Sequence, residues 1–294
     1  MPLEHLNSAP RLPVRTVVVG AGFVGGAIVR RIAARGGNVL SLTRRDVDLL
    51  KPDAAAQLAS LLKPGDAVVA AAARAPCKDV SMLIDNMTMV KAMLQAMRAI
   101  ELSHVLNIGS DAVYADGPLP LTEASPAAPT SLHGVMHLAR ELAFSAEIKA
   151  PLATLRPTLI YGASDPHNGY GPNRFRRLAN AGEEIVLFGE GEERRDHVAV
   201  DDIAELAVRL LEHRSRGVLN AATGTVHSFK AVAEQVVAAS PRKVKISGSP
   251  RTGPMPHNGY RPFDPTLALT AFPGFRFIDL ATGLAQAQAE GETH

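Results

Sequence analysis

Residues Thr16 to Gly26 read TVVVGAGFVGG, a β-branched apolar run that stops abruptly at Gly20, Gly22 and Gly25. An apolar run with no polar alternation suits a strand buried on both faces of a parallel sheet. The helical pattern AIVRRIAARGG follows at once, so the stretch predicts a strand, a tight turn and a helix. In that order the first glycine permits the turn, the second lets a pyrophosphate approach the backbone, and the third lets helix and strand pack closely. The glycine spacing alone says little; between a strand and a helix it points to a bound dinucleotide.

Further apolar runs near 38–43, 67–71, 104–109, 152–156 and 217–221 alternate with helical patterns. Parallel strands need crossover connections, so the alternation predicts an α/β fold, a doubly wound parallel sheet. Met87, Val90, Leu94 and Met97 share one helical face and read as core. The segments 164–191 and 226–294 are richer in Pro and Gly and break the alternation. The expected division is therefore a dinucleotide-binding domain over 1–163, to which 192–225 returns, with 164–191 and 226–294 forming a smaller substrate-binding cap. The first fifteen residues lack the apolar centre of a signal peptide and read as a flexible lead-in, and no apolar run approaches a membrane span.

Thirty-one Lys and Arg against twenty-nine Asp and Glu, interspersed along the chain, call for neither a nucleic acid nor an anionic membrane as partner. The absence of Trp also argues against a stacking platform for bases. The partner expected is a small-molecule substrate. The sole cysteine, Cys77, cannot form an internal disulfide and reads as a buried or loop thiol, which fits a reducing cytoplasm.

The second strand, NVLSLT, ends at Thr43 and is followed by Arg44 and Arg45. An acidic residue there would accept hydrogen bonds from the ribose hydroxyls of NAD. A hydroxyl and two guanidiniums suit a 2′-phosphate instead, so NADP is the expected cofactor, with NAD the alternative.

From Thr16 to about Gln288 the chain resembles the extended short-chain dehydrogenase/reductases, the NAD-dependent epimerase/dehydratase group that acts largely on nucleotide sugars. Five motifs agree in order: GAGFVGG, DNMTMVKAMLQAMR, IGSDAVYAD, LRPTLIYG and LFGEGEERRDHVAVDDIA. The stretch RRDVDLLKPDAAAQLASLLKPGDAVVAAAA is similar to the corresponding part of the dTDP-4-dehydrorhamnose reductases, which reduce keto-sugars with NADPH. The resemblance implies a cofactor site made by Gly20, Gly22, Phe23, Val24, Gly25, Thr43, Arg44, Arg45, Asp48, Ala71, Ala72, Ala73, Asn86, His137 and Pro157, with Asp48 at the adenine. It implies a catalytic role for Ser110, substrate contacts from Asn173, Arg174 and Arg195, and a homodimer built on two helices.

The departure is in the catalytic pair. The family carries Tyr and Lys four residues apart; here the same context reads PTSLHGVMHLARE, with His133 and His137 in their places. A phenol needs an adjacent cation to lower its pKa, whereas an imidazole near 6.5 does not. Two readings follow. In one, His133 is a general acid titrating near the ordinary imidazole value, Ser110 hydrogen-bonds the carbonyl and His137 holds the nicotinamide ribose, giving a keto-sugar reductase or an epimerase. In the other, the pair has drifted in a dinucleotide-binding sensor or scaffold. Asp111 stands as a rival proton donor or as a cap for the following turn, and the Glu that sugar dehydratases carry next is Ala112. No metal is expected, since the i, i+4 histidines lack the neighbouring Glu of the zinc hydrolases.

Overall fold

The computed structural model describes residues 2–291; residue 1 and residues 292–294, at the ends of the 1–163 and 226–294 segments, lie outside the described residues. Strand and helix alternate through β1 (Thr16–Val19), α1 (Phe23–Ala34), β2 (Val39–Leu42), α2 (Ala54–Leu61), β3 (Ala67–Ala70), α3 (Val80–Arg98), β4 (His104–Ile108), α4 (Leu132–Glu147) and β5 (Leu152–Pro157). Then come β6 (Leu159–Tyr161), α5 (Pro172–Ala181), β7 (Ile185–Phe188), β8 (Arg194–Ala199), α6 (Val200–Glu212) and β9 (Gly217–Ala221). The chain continues through β10 (Val226–Ser228), α7 (Phe229–Ala239), β11 (Ile246–Ser249), β12 (Tyr260–Arg261), α8 (Thr266–Ala271) and α9 (Leu280–Gly291).

Six strands form a fully parallel sheet in the order β2-β1-β3-β4-β5-β9. The pleat explains why these strands are apolar throughout: Val17 and Val19 pack on the side of α2, α3 and α4, while Val18 packs on the side of α1 and α6. On the α1 side Ile28 and Ile32, one turn apart, are fully buried; each such side chain contributes about 1.5–3 kcal/mol of transfer free energy. α1 ends at Arg35-Gly36-Gly37, where Gly36 takes φ +73° and Gly37 N donates to Ile32 O, a glycine-closed helix end. The chain leaves β1 toward β2 and returns across it to β3, which opens a crevice above the carboxyl ends of β1 and β3.

A second, smaller assembly is centred on β8, which pairs with β6, β10 and β12, beside a two-stranded sheet of β7 and β11. Its core joins Tyr161, Phe175, Ile185, Leu187, Phe229, Val232, Leu280 and Leu284. Thus α6 packs on α1 of the large layer, while β8 immediately before it belongs to the small sheet.

The lead-in is not free. Leu6 N and Asn7 N donate to His213 O, Arg11 N donates to Glu212 O, and Glu4 exchanges backbone hydrogen bonds with Arg216. The His5 ring lies 4.4 Å from His213 and 5.1 Å from Phe272. The carbonyls at the end of a helix need donors from outside it, and the N-terminal residues supply them to α6; this corrects the expectation of a flexible segment. Among the described residues no helix is long and apolar enough to cross a membrane.

Candidate active site

A cleft of about 980 Å³ runs above the carboxyl ends of the central strands. At one end is the glycine turn. Gly20 has φ +92°, and a Cβ there would lie 2.3 Å from Ala72 N; a Cβ on Gly25 would lie 2.2 Å from Gly20 O. Those two glycines are required by the packing itself. Gly22 differs, because a Cβ there meets nothing within 4 Å and would project into open space. α1 starts immediately afterwards with no side-chain cap, and its first-turn amides have no intrahelical acceptors. An uncapped helix start behind an open glycine is an anion site, and it fits the pyrophosphate of a dinucleotide.

Phe23, Val24, Gly25, Thr43, Arg44, Asp48, Ala71, Ala72, Ala73 and Pro157 line the same cleft. Asp46, which follows the arginine pair, accepts from both the amide and the hydroxyl of Thr43 at 2.7 and 2.8 Å. Its carboxylate is therefore folded onto its own turn. Arg44 lies loosely against Asp48 at 3.2 Å and is 77% exposed, free to swing onto a ligand. Arg45 is outside the cleft wall. Asn86 also lies outside it: buried on α3, it accepts from Arg74 N at 2.9 Å and donates to Arg74 O at 3.0 Å, pinning the loop after β3.

The other half of the cleft is built on α4 and the turn after β4. Ser110 caps that turn, accepting from Ala112 N at 3.1 Å, so the capping role open to Asp111 is taken by its neighbour. Asp111 instead accepts from Arg261 Nε at 3.2 Å and lies 3.9 Å from Arg195. Ser131 caps α4 through Gly134 N. A Cβ on Gly134 would lie 2.1 Å from Ala112 O, so this glycine lets α4 press directly onto the Ser110 turn. His133 and His137 consequently face the same cleft as Ser110 and Asp111, their rings 4.7 Å apart and edge to face.

Burial decides the charge of both histidines. Desolvation pushes the His133 imidazole below its ordinary value, against the opposing pull of Asp111. The direction is away from the expected titration near the ordinary imidazole value and favours the uncharged ring at neutral pH. His137 is driven much lower by burial, with His133 and Arg140 as further causes, so it offers a hydrogen bond and no cation. Arg140 is fully buried behind it and donates to Asn107 Oδ1, Ala72 O and Ala70 O at 2.5–2.6 Å, tying α4 to β3 and β4.

Tyr114 and Tyr161 are spoken for or buried. Tyr114 donates to Asn220 Oδ1 at 2.7 Å and accepts from Arg156 at 2.8 Å; Tyr161 is buried outside the cleft. Arg156 also clasps Glu141 at 2.6 Å, with both partners buried. Removing one member of such a pair strands the other charge, so Glu141→Ala is expected to cost about 3–5 kcal/mol in urea unfolding.

On the substrate side Arg195 and Asn173 line the cleft, whereas Arg174 is exposed on α5 outside it. Asn173 is partly committed, accepting from Gly162 N at 3.0 Å. Three groups near Asp111 carry no site signal in the sequence: Arg261, which is 2% exposed, and Asp116 and His257, which both bond to it and line the cleft. They come from segments without helical or strand periodicity.

The sheet order, the open glycine turn and the serine on the turn after β4 define a dinucleotide-binding protein of the extended short-chain dehydrogenase/reductase class. The chain belongs to the NAD dependent epimerase/dehydratase family, whose model matches residues 16–222. It is 28% identical to a dTDP-4-dehydro-6-deoxy-D-allose reductase of Streptomyces bikiniensis, over 83% of this chain and 86% of that one. Its fold is similar to that of a Thermus thermophilus UDP-glucose 4-epimerase in complex with NAD, with a TM-score of 0.81, 24% identity and coverage of 95% and 99% of the two chains. A GDP-L-fucose synthetase from Naegleria fowleri bound to NADP gives 0.82 at 17% identity, covering 96% of each.

Proposed function

We propose that the protein is an NAD(P)-dependent oxidoreductase that reduces a keto group of a nucleotide-linked sugar, with NADP(H) preferred. The observation that carries this reading is one continuous cleft: the open pyrophosphate position at Gly22 lies in the same cavity as Ser110 and His133. The reductase named among the relatives supports the substrate class. When bound, the nicotinamide supplies or accepts the hydride. The chain's own groups hold the reacting oxygen, Ser110 through its hydroxyl and His133 through its imidazole, with His137 reaching a ribose hydroxyl; the proton that completes the alcohol comes from solvent entering the open cleft. In this reading 164–191 and 226–294 form the cap over the sugar, and Arg195 meets a phosphate. A cytoplasmic setting is compatible with the lone Cys77 thiol.

The decisive experiment is a turnover assay with NADPH against a panel of dTDP-, UDP- and GDP-linked keto-sugars. Turnover on at least one supports the reading; cofactor binding with silence on every sugar makes the protein a dinucleotide binder instead. For the cofactor, Arg44→Asp is expected to weaken NADP(H) by about tenfold or more and leave NAD(H) largely unaffected, because it replaces a phosphate-binding fork with a repelling charge. Arg45→Asp, outside the cleft wall, is expected to do much less. Fluorescence titration of both cofactors checks the pair, and equal affinities unchanged by Arg44→Asp would remove the NADP preference.

A further inference from the structure

The two ring nitrogens of His133 have different surroundings. Nδ1 accepts a hydrogen bond from the Cys77 amide, N···N 3.4 Å. Nε2 has no partner among the described residues, is not buried, and belongs to a ring that lines the cleft with Ser110. A neutral imidazole carries one N–H and one lone pair. Because the amide occupies the Nδ1 lone pair, the proton resides on Nε2.

We propose that His133 serves as a neutral Nε2–H donor toward the ligand, its tautomer fixed by the backbone amide of Cys77, so that it polarises an oxygen in the cleft without itself becoming a cation. The identity of that oxygen rests on the functional reading above; the tautomer does not. Protonating Nδ1 would set one N–H against another and forfeit the hydrogen bond, so this contact and the desolvation of the ring act in the same direction.

The surrounding charges agree. Asp111 is the carboxylate that favours an imidazolium, and its charge is shared with Arg261 at 3.2 Å and Arg195 at 3.9 Å. His137, edge to face at 4.7 Å, is held neutral by burial, and the Arg140 guanidinium stands behind it. The Cys77 thiol is pushed up by burial and stays protonated.

The amide is itself held in place. Asn86 bonds to both the amide and the carbonyl of Arg74, three residues before Cys77. Asn86 is thus a positioning residue for His133, acting through the loop, and this accounts for its burial on α3 away from the cleft wall.

The test needs no substrate, so its failure is distinct from failure of the functional reading, which turnover decides. The full chain is labelled with ¹⁵N-histidine, His133 is assigned by the loss of its signals in His133→Gln, and two-bond ¹H–¹⁵N correlations are followed with pH. Expected between about pH 7.5 and 8 is an unprotonated Nδ1 and a protonated Nε2. Cys77→Ser keeps the amide and the pattern. Asn86→Ala, or Cys77→Pro if it folds, brings the His133 titration upward toward its ordinary value. A wild-type His133 that carries its proton on Nδ1, or is doubly protonated within that range, overturns the proposal. A titration indifferent to Asn86→Ala overturns the positioning role.

Discussion

His133→Phe is expected to lower turnover by about two to three orders of magnitude while leaving cofactor affinity near wild type. The magnitude is that of removing one donor aimed at a developing oxyanion in a site shielded from water. Phe on the first turn of α4 is planar and no smaller than the imidazole, so the loss reports the missing N–H and not a cavity. His133→Gln, whose side-chain amide keeps a donor, is expected to recover much of the loss, and any His133 titration in the wild-type rate is expected to lie below the ordinary imidazole value. His133→Tyr is expected to recover poorly, because burial raises a phenol pKa and no lysine is present to oppose it. The double variant His133→Tyr, His137→Lys supplies that cation and is expected to exceed the single one, though the new ammonium must point into the cleft, away from buried Arg140. Steady-state rates of the variants across pH check all of this. Undiminished turnover in His133→Phe would move the chemistry to Asp111, the other ionisable group beside Ser110.

Gly22→Val is expected to abolish dinucleotide binding while the protein keeps its fold. Its Cβ would enter space that no protein atom occupies within 4 Å, so the native packing is undisturbed and the volume lost belongs to the ligand. The neighbouring glycines give the contrast. Gly25→Val would drive a side chain into Gly20 O, and Gly20→Val into Ala72, at a positive φ that a β-branched residue resists. Those variants are expected to lose stability as well as binding. Calorimetric titration with NADPH, paired with thermal melts, separates the two outcomes; normal affinity in a folded Gly22→Val protein would place the cofactor elsewhere.

The candidate catalytic residues lie where sequence reasoning reached its limit. That His133 and His137 stand four residues apart on one helix follows from spacing, and that a serine lies on the turn after the fourth strand follows from pattern. Whether the imidazole is charged does not, because charge depends on how much water the fold leaves around it. The same holds for Arg261: nothing near it in the chain marks it as a partner of Asp111, which is 150 residues away.

What the sequence determined by itself is whatever depends on neighbours along the chain. The β-branched run of Val17, Val18 and Val19, the positive φ at Gly20 with the obligatory smallness at Gly25, and the alternation of apolar strands with amphipathic helices are local matters of sterics and periodicity, and they sufficed for the parallel sheet and its dinucleotide turn. Tertiary structure decided what depends on groups distant in sequence: the docking of residues 4–11 at the end of α6, the pairing of Arg261 with Asp111, the location of Asn86 beneath a loop, and the desolvation of His133. Desolvation and hydrogen bonding between remote segments carry no signature in a single chain, because each partner is unremarkable until the fold removes the water between them.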